Sequence, residues 1–344
     1  MNRDESMERT ARIQEWIGAQ APVLLPPFKK HFQELLAPDR NDSHPALFSK
    51  RLMQEFSVLS AEVFQADPYL KAMEPLMARL EYEGGKIRSG PFTLSLERYQ
   101  SGELFACDVP SGSELSAEEA GNSLMVPRIG CFDKEVKFLS VFEDVIPWMS
   151  ICPSEMNSLK APIQHAKRFL KQRAERFSDL RILVLGLGLG YFPFQLLHEK
   201  AVEEIVIVEY SRQIIDLFSA YLLPCFPHPE KIRIVQGDAF DYLRRVRPRP
   251  LPEPRQDRPS EKQSGLSGSL ERVTNQTDSW EFDYVFADTW ESQFDGAKDY
   301  LRIKRQEKRL DSAEGLPVGF SYWIEPQIRA YLKDLGLDID LDCK

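Results

Sequence analysis

The chain has 344 residues and a hydrophobic content of 42%, which is enough to build the cores of two domains. Its formal net charge of −9 argues against a general affinity for the phosphate backbone of nucleic acids. Its five cysteines are scattered without a Cys-x-x-Cys pair and its five histidines are not paired at ligand spacing, so the sequence predicts neither disulfides nor a metal site.

Residues 1–150 are predicted to form an N-terminal domain of helices followed by a small β unit. The chain starts with polar residues rather than the apolar core of a signal peptide, and no stretch reaches the roughly 20 apolar residues of a membrane span. We therefore expect a cytoplasmic protein without a membrane partner. Apolar residues at helical spacing, punctuated by prolines, predict helices over residues 5–82.

The pattern changes to alternation after Gly84-Gly85, which is typical of strands. Residues 92–99 and 104–107, joined through Ser101-Gly102, are predicted to form a β-hairpin. Further short strands are predicted over residues 126–132 and 136–142.

The segment 147–166 leads into the second half of the chain and is predicted to line a pocket. Ser154 can cap a helix that starts at Glu155. Trp148, Glu155 and Asn157 combine an aromatic face with polar groups, which suits a pocket wall. The alternative is a capped linker helix with a tryptophan in the core.

A glycine-rich turn between an apolar run and a helical run is the most informative motif of the chain. Residues 182–185 predict a strand buried on both faces, and residues 192–200 predict a helix. Gly186, Gly188 and Gly190 lie between them, where glycine permits a sharp turn and the close approach of a ligand. The pattern predicts a cofactor site, and the alternative is a tight strand–helix turn without a ligand.

Acidic residues follow the apolar runs that come next along the chain. Glu209 ends a predicted strand, where it can accept both hydroxyls of a ribose. Gly237-Asp238-Ala239 follows the third predicted strand, and Asp238 could accept a hydrogen bond from an adenine amine. Asp288 and Glu325 follow the fourth and fifth runs. Because ligands bind at the carboxyl ends of the strands in open α/β sheets, these acids are predicted to surround one site.

Residues 248–280 are rich in proline at first and in Ser, Gly, Gln and charged residues afterwards. This composition buries too little apolar surface to offset the entropy of ordering, so it predicts a flexible insertion before the fourth strand. Two basic runs, over residues 244–258 and 302–309, could meet an anionic substrate or RNA. Such runs are more often solvated faces.

In this order the motifs resemble the class I S-adenosylmethionine-dependent methyltransferase fold, and especially its spermidine-synthase-like branch. The resemblance implies a Rossmann-like, doubly wound, mostly parallel α/β sheet over residues 151–344, with S-adenosyl-L-methionine as cofactor. It also implies that the N-terminal unit covers the mouth of the site; the alternative is a homodimer interface or a purely structural domain. The matching residues are Gly186, Gly188 and Gly190 for the first motif, Glu209 for the ribose acid, Gly237, Asp238 and Ala239 for the adenine segment, and Asp288 for the acid closing the fourth strand.

Two departures from the family pattern leave other functions open. The acid that many such methyltransferases carry just before the glycines is replaced by apolar residues (Val184, Leu185), which leaves a non-catalytic nucleotide-binding or interaction protein as one reading. The Asp that spermidine synthases place inside the glycine loop aligns with Leu189, which weighs against an aminopropyl transferase. A nicotinamide fingerprint is disfavoured because Tyr191 or Pro193 stands where it needs a third glycine.

The resemblance implies a methyltransferase acting on an unknown, small-molecule acceptor, with no role for nucleic acid. Asp288 is predicted to be catalytic, either stabilising a sulfonium or taking a proton from the acceptor; the alternative is a helix cap. Trp290 and Trp323 are predicted to form walls of the substrate pocket or to contact a cation through their ring faces. Glu325 is predicted to border the same cleft as Glu155.

Overall fold

A computed structural model describes residues 57–103, 105–107, 129–250, 280–290 and 292–337. The helices predicted for residues 5–56 therefore lie outside the described residues. The first half of the described chain contains, in order, β1 (Ser57–Leu59), α1 (Ala61–Gln65), α2 (Pro68–Tyr82), β2 (Lys86–Ser89), β3 (Phe92–Tyr99), β4 (Phe105–Ala106), β5 (Ile129–Phe132), β6 (Val136–Glu143) and β7 (Ile146–Ser150).

The strands of this half form two small sheets, of order β2-β3-β6-β7 and β1-β5-β4. The predicted hairpin between residues 92–99 and 104–107 is wrong, because β3 pairs with β2 and β6 while β4 pairs with β5. All eight residues of β3 pair with β6, and this long ladder outweighs pairing with the two-residue β4. The strand predicted over residues 136–142 is confirmed. Of the strand predicted over residues 126–132, the described part, Ile129–Phe132, is confirmed.

Helix α2 begins at a strong local signal and buries one face. Asp67 is the N-cap residue, its Oδ1 accepting the backbone N–H of Tyr69 at 2.8 Å, and Pro68 occupies the first turn. The buried residues of the helix recur at three- and four-residue spacing, as expected for a helix with one core face: Tyr69, Leu70, Met73, Leu76, Met77 and Leu80.

The second half of the chain alternates strands with helices. The predicted strands are all confirmed, whereas the long helix begins at Pro153 with Cys152 as N-cap rather than being capped by Ser154. The elements are α3 (Pro153–Ala174), β8 (Leu180–Leu185), α4 (Tyr191–Leu196), β9 (Val202–Glu209), α5 (Arg212–Leu217), β10 (Ile232–Gln236), α6 (Ala239–Leu243), β11 (Tyr284–Ala287), α7 (Gln293–Asp311), β12 (Gly319–Tyr322) and α8 (Glu325–Asp334).

The five strands from β8 to β12 form one parallel sheet of order β10-β9-β8-β11-β12. The chain moves outward from β8 to β10 and then returns to the other side of β8 with β11. This is a Rossmann-like α/β arrangement, and its topological switch point lies between β8 and β11. The carboxyl ends of these two strands lead directly into Gly186 and Asp288. The sheet therefore places the glycine turn beside the acid that closes the fourth strand.

Buried residues of both halves belong to one continuous apolar core. It includes Tyr69 and Met73 of α2 and Leu139 of β6 together with the central strands of the parallel sheet. The division of the chain at residue 150 stays a prediction, because a shared core does not by itself define a domain boundary. In the part of the chain that the structure describes, no helix combines the length and apolarity needed to cross a bilayer.

A buried ion cluster at the start of β11 holds Arg249, which lies at the beginning of the insertion predicted over residues 248–280. Asp283 is fully buried and accepts from Arg249 Nη2 at 3.0 Å and from the backbone N–H of Arg181 at 2.9 Å. Arg249 also contacts Asp179 through Nη1 at 3.0 Å. Arg249 therefore holds the fold together rather than presenting its charge to a substrate. Most of the insertion, residues 251–279, lies outside the described residues.

Candidate functional site

Two of the three motif glycines are required by packing. Gly186 has a φ of 91°, and a Cβ there would lie 1.9 Å from the backbone oxygen of Asp288. Gly190 has a φ of 75°, and a Cβ there would lie 2.7 Å from the ring of Phe218. Gly188 differs, because the nearest atom to its Cβ position is Met149 Sδ at 3.7 Å. A Cβ at Gly188 would make only ordinary van der Waals contact, so packing does not require glycine there, although the positive φ of 57° favours it.

Glu209 lies at the end of β9 with its carboxylate beneath the glycine loop. The side chain is 7% exposed, its Oε2 accepts from the backbone N–H of Leu187 at 3.1 Å, and its Oε1 accepts from that of Ser211 at 2.7 Å. These two bonds fix the orientation of the carboxylate. Each oxygen keeps a second lone pair that can accept from a ligand hydroxyl.

Asp238 follows β10 and caps helix α6. Its Oδ1 accepts from the backbone N–H groups of Phe240 at 2.7 Å and Asp241 at 2.9 Å. A cap of this kind explains a local preference for Asp without a ligand. Its other oxygen, Oδ2, has no hydrogen bond within the described part of the chain and remains able to accept from a ligand amine.

Asp288 extends from β11 into the crevice at the switch point. Burial, together with Glu155 and Glu209 nearby, raises the pKa of its carboxyl well above the ordinary value. No hydrogen bond or ion pair stabilises its side chain among the described residues. The helix-cap alternative is not realised, since Ser292 rather than Asp288 caps α7 through the N–H groups of Phe294 and Asp295.

Glu155, in the first turn of α3, approaches the same crevice from a different element. Burial raises the pKa of its carboxyl to about 7. It too lacks a hydrogen-bond or ion-pair partner for its side chain within the described ranges. A half-buried carboxylate in this condition is costly to ionise, and such groups concentrate at functional sites.

Two adjoining cavities share residues of the glycine loop in their walls. The outer cavity has a volume of about 370 Å³ and includes Trp148, Glu209, Gly237, Asp238, Ala239 and Trp290 in its wall. The inner cavity, of about 60 Å³, includes Glu155, Met156, Leu189 and Phe286 in its wall. Met149, Gly186, Leu187, Gly188 and Asp288 border both cavities.

The charge of these cavities has one sign. Among the residues that the structure describes, the walls contain four carboxylates, from Glu155, Glu209, Asp238 and Asp288, but no lysine, arginine or histidine. In the absence of a compensating charge, such a site favours a cationic ligand. Thr289 and Trp290 also line the outer cavity, and their buried Oγ1 and Nε1 atoms have no hydrogen-bond partner in the described part of the chain. Buried polar groups are normally paired, so these two atoms are exceptions.

Three of the residues predicted to form the substrate pocket contact other parts of the structure. Asn157 donates through Nδ2 to the backbone oxygen of Cys107 at 2.7 Å. Trp323 donates through Nε1 to Ser158 Oγ at 2.8 Å, and Glu325 accepts from the Tyr300 hydroxyl at 2.7 Å and pairs with Arg329. None of the three borders the two cavities, because each is drawn to a hydrogen-bond partner elsewhere.

The sequence analysis missed several residues at the site. Met149 borders both cavities, and Tyr210 and Ser211 extend the wall around Glu209. Tyr69 reaches the glycine loop from α2, far away in the sequence. Met149 directly follows a residue that was predicted, Trp148, whereas no sequence pattern connects Tyr69 with the loop.

No family model and no curated protein matches the chain. It is similar to the solved spermidine synthase of Thermotoga maritima, with 14% identity over 58% of this chain and 59% of that one and a TM-score of 0.33. For a probable spermidine synthase of Corynebacterium glutamicum the identity is 12%, over 64% and 59% of the two chains, with a TM-score of 0.34. For the YcgJ protein of Bacillus subtilis it is 19%, over 44% of each chain, with a TM-score of 0.24.

The chain thus spans 59% of the length of the first two of these structures. Likeness at this level assigns no function and no residue. The assignment of a Rossmann-like fold rests on the strand order of the parallel sheet and on the switch point between β8 and β11.

Proposed function

We propose that the protein binds S-adenosyl-L-methionine and transfers its methyl group to a small-molecule acceptor. The observation that carries the proposal is the pair of cavities at the switch point. Their described residues bring four carboxylates around the glycine loop and include no positive side chain. A sulfonium nucleoside supplies the matching features, namely a cation, a ribose and an adenine. When bound, this cofactor supplies a methyl group already activated for transfer by the positive sulfur.

The outer cavity offers the groups that would hold the nucleoside. Glu209, fixed by Leu187 and Ser211, directs its free lone pairs to the ribose hydroxyls. Asp238 keeps Oδ2 for the adenine amine, and Gly188 lets the ligand lie against the backbone. These residues orient the ligand without any change in the fold, since each is already held by backbone contacts.

Asp288 is the group placed to handle a proton. Its raised pKa makes it a better base than an ordinary carboxylate, and a cation in the cavity lowers that pKa again by favouring the charged form. Asp288 can therefore ionise when the site fills and accept the proton that an amine or hydroxyl acceptor gives up. Glu155, across the inner cavity, is the second carboxylate available for this step.

A second candidate, aminopropyl transfer, is favoured because no described residue in either cavity wall has a positive side chain. The carboxylate of S-adenosylmethionine would find no ionic partner there, whereas a decarboxylated cofactor carries none. The aligned position in the glycine loop is the buried Leu189, which provides no anchor for an aminopropyl ammonium. We therefore rank this function second.

Calorimetry with S-adenosylmethionine, its decarboxylated form and NAD tests these functions directly. We expect S-adenosylmethionine to bind, and saturation at 100 times the dissociation constant to stabilise the fold by about 2.7 kcal/mol. Preference for the decarboxylated form would favour aminopropyl transfer. Absence of binding by either form contradicts both enzymatic functions and leaves the non-catalytic reading.

Asp288→Asn tests the catalytic assignment once a labelled-methyl screen over metabolite pools has found an acceptor. The substitution keeps the shape of the side chain and removes its basicity. We expect turnover to fall by roughly 10²–10⁴-fold with cofactor affinity largely retained. Glu203→Gln, at an exposed carboxylate on β9, is the matched control. An Asp288→Asn enzyme with full turnover would move the proton-accepting role to Glu155.

A further inference from the structure

Helix α2 is joined to the glycine loop by a hydrogen bond that connects distant parts of the chain. The hydroxyl of Tyr69, in the first turn of α2, donates to the backbone oxygen of Leu189 at 2.5 Å. Leu189 lies between Gly188 and Gly190, in the loop that lines both cavities, and it borders the inner one. The bond therefore acts on the backbone that the proposed ligand would contact.

A second hydrogen bond joins the residue after the glycine loop to the N-cap of α2. The hydroxyl of Tyr191, which follows the loop, donates to Asp67 Oδ2 at 2.9 Å. The other oxygen of Asp67, Oδ1, caps α2 through the N–H of Tyr69 at 2.8 Å. One carboxylate thus organises the start of α2 and holds the end of the loop at the same time.

The surroundings of Tyr69 leave it no other arrangement. Its side chain is 0% exposed, and its ring packs against those of Tyr191, Phe194 and Phe226 at centroid distances of 5.4, 5.1 and 6.0 Å. Burial raises the pKa of the Tyr69 hydroxyl well above its ordinary value, so the hydroxyl stays protonated and remains a donor. Close packing makes such a contact discrete rather than continuously adjustable.

We propose that Asp67 and Tyr69 form a latch that positions the glycine loop for ligand binding, so that α2 and the ligand site are thermodynamically coupled. Tyr69 itself lines neither cavity, and it therefore acts through Leu189, which lines the inner one, as a positioning residue. Coupling of this kind is reciprocal: if the latch favours the binding shape of the loop, a ligand on the loop must stabilise the latch. The inference deepens the proposed function and rests on it for the identity of the ligand.

The test uses the full chain, with S-adenosylhomocysteine as probe and Tyr69→Phe as variant. This substitution keeps the ring packing and removes only the hydroxyl. We expect the affinity measured by calorimetry to fall about ten-fold, a coupling in the usual range. The control is Tyr82→Phe, at a residue of the same helix that is 93% exposed, and it should leave the affinity unchanged.

A second variant separates the latch from the stability of α2. Asp67→Ser keeps an N-cap of equal quality but removes the carboxylate oxygen that accepts from Tyr191. We expect it, too, to weaken the binding of S-adenosylhomocysteine. Affinities within two-fold of the wild type for both Tyr69→Phe and Asp67→Ser would overturn the latch.

Hydrogen exchange provides a readout that does not require binding. In the free protein, the amides of Leu187 and Gly190, which donate to Glu209 and to Leu187, should exchange faster in Tyr69→Phe than in Tyr82→Phe. In the wild type, saturating S-adenosylhomocysteine should slow exchange in the first turn of α2. If S-adenosylhomocysteine does not bind the wild type, the proposed function fails. Independently of that result, unchanged amide exchange of Leu187 and Gly190 in Tyr69→Phe would refute the latch.

Discussion

At the scale of single residues, chemically identical positions of one motif have different tasks. Gly186 and Gly190 are small because backbone and aromatic atoms occupy the space where a Cβ would lie, whereas Gly188 faces the cavities. Glu155 and Asp288, the carboxyls of the cavity walls with raised pKa values, lack partners among the described residues, while Glu209 is held by two backbone N–H groups. Substitutions at individual glycines of the motif can therefore distinguish a role in packing from a role in ligand binding.

We expect Gly188→Ala and Gly190→Ala to have different effects. At Gly188 the new methyl group has room in the protein, so the cost is mainly the positive φ, about 1 to 2 kcal/mol, with a loss of S-adenosylhomocysteine binding. At Gly190 the methyl group would collide with Phe218 and Phe226, and the fold should lose more stability. Urea unfolding and calorimetry of both variants check this; equal stabilities would contradict the packing role of Gly190.

The two carboxylates also predict a pH dependence of folding. Because their folded-state pKa values are raised, the folded protein binds more protons than the unfolded chain above about pH 4. This stabilising contribution is complete at lower pH and is lost as the pH rises through about 7, the folded-state pKa of Glu155. We expect Glu155→Gln to gain stability relative to the wild type between pH 5 and pH 8, by about 1 to 3 kcal/mol. Urea titrations at pH 5 and pH 8 measure the free energy of unfolding of both proteins. If the difference between Glu155→Gln and the wild type is the same at both pH values, the raised pKa of Glu155 is refuted.

At the scale of elements, helix α7 is positioned by a very close contact with the segment that follows β11. A Cβ at Gly296, in the first turns of α7, would lie 2.5 Å from Trp290 Cγ. Trp290 in turn borders the outer cavity. Because Gly296 has no side chain, α7 can pack directly against Trp290 and thus close to the outer cavity.

Gly296→Ala tests which of two opposing effects is larger. Alanine favours a helix over glycine by about 1 kcal/mol, but overpacking a well-filled contact costs about 1 to 3 kcal/mol. We expect the substitution to destabilise the fold and to change the fluorescence of the displaced Trp290. Lys298→Ala, at an exposed position of the same helix, should change neither. If Gly296→Ala is more stable than the wild type, Trp290 can move away from the added methyl group without destabilising the fold.

At the scale of the whole molecule, the segment 251–279 departs from and returns to neighbouring points of the fold. The backbone N–H of Arg247 donates to the oxygen of Trp280 at 2.8 Å, and Arg247 forms a parallel bridge with Glu281. Arg249, just before the segment, belongs to the ion cluster around Asp283. The two ends can therefore be joined by a short connection that leaves this cluster in place.

Replacing residues 251–279 by a short Gly-Ser linker should leave cooperative unfolding nearly unchanged, because the segment carries no periodic apolar pattern. The matched control is the full chain with Arg249→Met, which breaks a buried ion pair by removing one partner and should cost about 3 to 5 kcal/mol. Thermal unfolding of the two proteins gives the comparison. Loss of cooperativity in the deletion would show that the segment contributes to the core.

The sequence by itself determined the parallel sheet, the glycine turn and the acids at the strand ends, because these depend on local periodicity and on the rule that parallel strands end at one edge. Only the tertiary structure decided that β3 pairs with β6, that Glu155 lines the same cavity as Asp288 and that Tyr69 donates a hydrogen bond to Leu189. It also directed Asn157, Trp323 and Glu325 to partners outside the cavities. Such contacts join residues whose separation along the chain carries no signal, and the packing of whole elements sets the distance between them.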